Sequence, residues 1–287
     1  MFDPRSPDNR RMWHYESDRP LSTAQLIALG SLDARTASLL WLLVERHQSL
    51  IVSGPTDPTP GVGKTTTLNA LLGFLPLGST LVYTVGMYED FEFIQETQPE
   101  TTCVLANEVS DHLVIYMWDD KAQTLLRLPQ DGFAIATSCH ADTTRDVLRM
   151  LTRDLRLTTS DVSRLGVVVN IGLVGRTWPP RRRFLSVNFL CPAGVDANTA
   201  APEGSVEVEG IRMLPLATWD SSTDTFVPAT DEALKTLAEC LGMPADEMSA
   251  ALDRRRACLE TLAKDRGAGI RTMREAVDAL IAEERGA

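Results

Sequence analysis

The residues with the clearest chemistry lie at 50–68, LIVSGPTDPTPGVGKTTTL, where an apolar strand runs into a loop of glycines and prolines, closes on Gly63-Lys64-Thr65 and continues as a helix-forming run. A glycine-rich turn between a buried strand and a helix N-terminus aims several backbone N–H groups, and the positive end of the helix dipole, at one point, which suits a polyphosphate. In that arrangement Lys64 reaches the β- and γ-phosphates and Thr65 holds Mg²⁺. The pattern G-x-x-x-x-G-K-[ST] places its first glycine five residues before Gly63, where this chain has Pro58. Setting Asp57, Pro58, Thr59 and Pro60 aside as an insertion leaves GPTGVGKT, with Gly54 in the first slot, Gly61, Val62 and Gly63 in the turn, and Lys64, Thr65 and Thr66 opening the helix. Doubling a loop's length costs only about 0.6 kcal/mol of closure entropy, which charge-assisted phosphate contacts outweigh. The competing reading of the same residues is a Gly/Pro-rich turn with no ligand.

An acid and a phosphate sensor belong at strand ends beside such a loop. Glu108 follows the apolar strand at 104–106 in VLANEVSD, where a carboxylate orders water around Mg²⁺ and polarises an attacking water. Capping a helix is its alternative role. His140 follows the strand at 133–137 in FAIATSCHAD and can donate a hydrogen bond to a γ-phosphate; a satisfied loop histidine is the plainer reading. Glu89 and Glu92 in YEDFEF follow the strand at 81–85, and either face the nucleotide or form an exposed acidic turn.

The elements that position these groups alternate. A short helix capped by Ser22 or Thr23 carries Leu26, Ile27 and Leu29, a second spans 34–45, and the first core strand is 49–53. Strands at 81–85, 104–106 and 133–137 follow, with helical apolar spacing over 112–128. Strands alternating with helices imply a parallel sheet covered on both faces, which binds ligands at the C-terminal ends of its strands. A strand at 184–190, a loop-like boundary near 191–205, short strands at 206–213 and Phe226, and three amphipathic helices complete the chain. Residues 1–20 read as a loose polar tail.

The chain has 287 residues, 44% of them hydrophobic, enough to bury a large core in one large domain or two smaller ones. A net charge of −11 argues against a broad nucleic-acid surface. Arg181-Arg182-Arg183 reads as a solvated turn after Pro179-Pro180. Five widely spaced cysteines without a C-x-x-C pair suit thiols in a reducing cytoplasm. No apolar run approaches the roughly 18 residues of a membrane span, and the polar start MFDPRSPDNRR is not a secretion signal. The expectation is a cytoplasmic protein that touches a membrane only through a partner.

Taken in order, these segments resemble the secretion-superfamily ATPases that drive type II and type IV secretion, type IV pili and archaeal flagella, closest to the archaeal and Tad-like branch. The resemblance rests on the leading helix and strand, the phosphate loop with LNALLGFLP, the acidic box YEDFEF, the second acidic motif ANEVSD, the histidine box GFAIATSCHAD, and the tail from LATWDSSTDTF to RTMREAVDALI. It implies an α/β fold: a RecA-like P-loop NTPase core over 21–192 with a mostly parallel sheet, and a small, mainly helical module over 205–287. It implies ATP and Mg²⁺ as cofactors, with Lys64 and Thr65 on phosphate and metal. Glu108 is then the catalytic acid, acting on Mg²⁺ through water, Glu89 or Glu92 belongs to the acidic box, and His140 is the histidine-box residue. As partners it implies further copies in a hexameric ring and an inner-membrane secretion or pilus platform protein, with no nucleic acid.

Three departures bear on turnover: the DPTP insertion, Asn107-Glu108-Val109-Ser110 where relatives carry an arginine, and no arginine between Asp90 and Glu108. An absent arginine finger costs about 10³ to 10⁵ in rate. Arg145, Arg149, Arg153, Arg156 or Arg176 of a neighbouring subunit are the candidate replacements. The departures leave a second expectation open, a nucleotide-binding or structural relative that docks on an active partner ring.

Overall fold

Ser22 opens the first helix of the computed structural model, which describes residues 20–55, 61–175, 178–192, 205–264 and 268–286. Its hydroxyl accepts from the Gln25 N–H while the Gln25 side chain accepts from the Ser22 N–H, a capping box that starts α1 (Thr23–Ala28). Asp33 caps α2 (Ala34–Glu45) through the Thr36 N–H, and ten of the twelve residues of α2 are buried. A helix apolar on nearly every side belongs inside. Its position there is under β1 (Leu50–Gly54), which is itself buried along its whole length, the mark of a central parallel strand.

From β1 the chain enters α3 (Lys64–Leu71), crosses to β2 (Thr80–Tyr83) and β3 (Thr102–Val109), then runs through α4 (Asp119–Arg127) into β4 (Ala134–His140). Two short helices, α5 (Thr144–Arg149) and α6 (Thr159–Val162), lead to β5 (Val167–Val174). These five strands pair in parallel in the order β2-β3-β4-β1-β5. The sheet then continues antiparallel through β6 (Arg181–Leu190), β8 (Ile211–Asp220) and β7 (Val206–Val208), with β9 (Thr225–Pro228) also on β8. Leu50 and Val52 join the apolar cluster under α2, whereas Ile51 joins the one under α4, so alternate side chains of one strand feed a core on each face. The α/β class with a parallel core is as expected from the sequence.

Three helices end the chain: α7 (Asp231–Cys240), α8 (Ala245–Lys264) and α9 (Ile270–Gly286). They pack back on the first face, α8 against α1 and α2, and α9 against the turn after α3. Arg255 of α8 fastens them. It is 1% exposed, pairs with Glu45 of α2 and Glu284 of α9 at 2.7 Å each, and lies over the Trp41 ring, which stacks on Phe74.

The observed elements depart from the expected ones at two points, the stretch over 112–128 and strand β5. The helical spacing over 112–128 yields a helix only at Asp119–Arg127; residues 111–117 form turns tied by the Ser110 and Met117 amides to the end of β3. Strand β5 has no counterpart among the expected elements. The boundary expected near 191–205 falls mostly on 193–204, which lie outside the described residues, as does the expected tail apart from Pro20. The strands on either side of that boundary share one sheet, and the late helices share a core with α2.

Removing Arg255 strands two partly buried carboxylates and opens a void against Trp41. Arg255→Ala is therefore expected to lower the unfolding free energy by about 3 kcal/mol or more, read as a drop in the urea midpoint at unchanged slope. A midpoint within error of the parent would show that the clamp does not hold the helices.

Candidate active site

Parallel pairing brings three strand ends together. Gly54, the last residue of β1, stands opposite His140, the last of β4, and β3 lies on the far side of β4. Beyond Ala106 the register of β3 slips, and the irregular stretch carries Asn107 and Glu108 before Val109 pairs with Cys139. The Ser138 hydroxyl donates to the Asn107 carbonyl at 2.8 Å and holds that irregularity in place. A bulge re-aims a side chain; here it is that of Glu108.

On the other side of β1, the loop returns through Gly61 and Val62 to Gly63, which caps α3 with φ of 99°. That left-handed backbone favours glycine. Gly54 is required for a different reason: a Cβ there would stand 2.8 Å from the Ile171 carbonyl oxygen. Residues 56–60, including the tetrapeptide read as an insertion, lie outside the described residues.

Lys64, the first residue of α3, places Nζ 2.9 Å from Nδ1 of His140. A lysine ammonium can only donate, so Nδ1 accepts and the ring proton resides on Nε2. Nε2 lies 2.5 Å from Oε1 of Glu108, a buried oxygen with no hydrogen-bond partner of acceptable geometry among the described residues. Burial pushes the Glu108 carboxyl above its ordinary value, opposed by the charges of Lys64 and His112. The His112 ring meets that of His140 edge-on, centroids 5.4 Å apart. Lysine, histidine and glutamate thus form one line across the ends of three strands.

Of the residues expected from the sequence, Gly61, Val62, Gly63, Lys64, Thr65, Thr66 and Glu108 line one open cleft of about 660 Å³. Gly54 and His140 adjoin it through strand pairing and the lysine contact. Glu89 and Glu92 are placed elsewhere. The Glu89 carboxylate is fully buried and accepts from the Val85 and Phe91 N–H groups, which ties the loop after β2, while Glu92 is exposed in the following turn. Among the described residues no group of three or more His, Cys, Asp or Glu side chains forms a metal cage. The donors that suit Mg²⁺ are the Thr65 hydroxyl and Glu108, hard oxygens lining the same cleft, with Oε1 of Glu108 lacking a donor.

The arginine cluster read as a solvated turn instead starts β6, and this is a correction. Asp224, in the β8–β9 turn, accepts from Arg181 at 2.6 Å, from Arg183 at 2.9 and 3.0 Å, and from the Trp219 indole at 3.0 Å. The Arg183 guanidinium, with the Trp219 indole, holds the Asp224 carboxyl well below the usual carboxylate range. Arg182 lies over the loop that enters α3, with Nη2 2.8 Å from the Gly61 carbonyl oxygen. Of the candidate substitute arginines, Arg149 and Arg153 meet Glu209, and Arg176 lies outside the described residues.

A polar set that the sequence did not announce sits beneath the loop. Asn170 of β5 donates to Ser53 of β1 and accepts from Thr144 of α5 and from Ser186 of β6, and Asn188 donates to Thr144. These buried groups satisfy one another and join the loop's strand to the helix after His140.

A family model described as type II/IV secretion system protein matches residues 16–100. An uncharacterized protein of Methanocaldococcus jannaschii is 40% identical over 65 residues, 23% of this chain and 11% of that protein, so the chain spans about a tenth of the curated relative it matches. Among solved structures, the VirB11 ATPase of the Brucella suis type IV secretion system, in complex with sulphate, is similar with a TM-score of 0.39 and 18% identity over 65% of each chain.

A carboxyl held low in the folded state contributes stability that is complete above its unfolded value, about 3.9, and is lost as the pH falls through the folded one. Asp224→Asn is accordingly expected to melt below the parent at pH 7, with the gap closing as the pH drops below about 4. A gap independent of pH in thermal melts would refute the pairing.

Proposed function

We propose that the chain, whose residues 16–100 match the type II/IV secretion system protein model, is a Mg²⁺-dependent ATPase, a motor subunit that hydrolyses ATP to ADP and phosphate to power a secretion, pilus or Tad-like assembly machine. The observation that carries this reading is the alignment of Lys64, His140 and Glu108 at one edge of the sheet, beside amides rimmed by Gly61 and Gly63.

In this reading the backbone around Gly61, Val62 and Gly63, with the first turn of α3, receives the phosphates, and the Lys64 ammonium leaves Nδ1 of His140 to meet them. Thr65, and Glu108 through water, would hold Mg²⁺, which neutralises phosphate charge. Glu108 takes the proton of the attacking water; its burial raises its basicity, and Lys64 keeps it ionised. His140, released from lysine, takes up a solvent proton on Nδ1 and donates from it to the γ-phosphate, while Nε2–H stays with Glu108. Glu89 serves by bracing the loop after β2.

The proposed assembly is a hexameric ring of this chain, cytoplasmic, held at the inner face of the membrane by a platform protein. Among the described residues no helix is long and apolar enough to cross a membrane. A second reading, a nucleotide-binding or structural relative on an active partner ring, draws on the absence of any arginine between Asp90 and Glu108.

Phosphate release measured with ATP and Mg²⁺ tests the first reading. Lys64→Ala and Glu108→Gln are each expected to lower turnover by about 10² or more, with Lys64→Ala also weakening ATP binding. Turnover indifferent to both substitutions removes the site. Tight ATP binding by the parent without release selects the second reading.

A further inference from the structure

The topology of the antiparallel wing delivers a second cation to the phosphate loop. Strand β5 runs parallel to β1, so its end at Val174 lies at the same edge as Gly54; β6 pairs antiparallel to β5 and therefore begins at that edge, with Arg182 opposite Leu173. Successive side chains of a strand point to opposite faces. Arg181 and Arg183 both turn to Asp224, so Arg182 is directed the other way, over the loop. Its Cδ and Nε lie 3.4 and 3.5 Å from where a Cβ on Gly63 would stand. Among the described residues no carboxylate pairs with it, and its guanidinium donates to the Gly61 carbonyl, which uses one of five donors.

We propose that Arg182 is a phosphate-binding residue supplied by the same chain, which exchanges the Gly61 carbonyl for a phosphate oxygen of the bound nucleotide and opposes Lys64 across the polyphosphate. This rests on the nucleotide-binding reading above. The clamp on Asp224 is its positioning device: two flanking arginines, one of them buried, anchor the strand so that the middle one needs little ordering to meet the ligand. The guanidinium fork suits phosphate better than an ammonium would.

The test is calorimetric binding of Mg²⁺–ATP and, separately, of inorganic tripolyphosphate to the full chain, its Arg182→Gln and Arg182→Lys variants, and the exposed control Arg271→Gln on α9. Arg182→Gln is expected to weaken both ligands alike by roughly 10- to 100-fold, Arg182→Lys by less, and Arg271→Gln not at all, with melting temperatures unchanged. Parent-like binding of both ligands by Arg182→Gln overturns the proposal and leaves the nucleotide reading standing. Weakened ATP with undiminished tripolyphosphate binding also overturns it, because the contact would then be to the nucleoside. A parent chain that binds neither ligand removes the nucleotide reading and this inference with it.

Discussion

The pairing of β1 with β4, which sets Gly54 opposite His140, is the constraint on which the candidate site depends. It brings the loop that starts at Gly54 and the histidine to one edge, and through β4 it brings the bulge of β3 with Glu108 alongside. Because every strand of this half is parallel, all the loops that carry chemistry emerge on the same side. A slip of one residue would turn His140 to the opposite face and separate it from Lys64. The buried hydrogen bonds that Asn170 donates to Ser53 and accepts from Thr144 and Ser186 resist such a slip, since each mismatch would leave a polar group unsatisfied in the core.

The charges at this edge are arranged in opposition. Lys64 and Glu108 flank His140, so a neutral ring separates a cation from an anion whose desolvation alone would favour protonation. On the far side of the loop, three arginines are matched against a single Asp224, and one of them extends beyond its reach. The chain as a whole carries a net charge of −11, yet this rim is locally positive, which suits a small polyanion rather than an extended one.

Much of this was legible because the signals are local. A glycine run before Lys-Thr, a carboxylate after one apolar strand and a histidine after another are each written within a short stretch of chain. What escaped was non-local. The role of Arg183 depends on Asp224, a partner 41 residues away, and no window around Pro179-Pro180 reveals it. Strand β5, VVVNIGLV, is a mostly apolar run broken by Asn170 and without alternation, which periodicity cannot assign; without it, β6 had no neighbour and its arginines no address. The acidic box shows the same limit from the other side: two backbone amides and complete burial tie the Glu89 carboxylate to its own turn, contacts that a run of acidic residues does not announce.

Among the described residues the strands form one sheet, from β2 at one edge to β8 with β7 and β9 at the other, and Arg255 rivets the last two helices to α2, directly beneath β1. Among the described residues the early and late segments thus share one plate. In the proposed motor a stroke would come from loops at its rim or from whole copies rocking against one another, each moving as a stiff wedge.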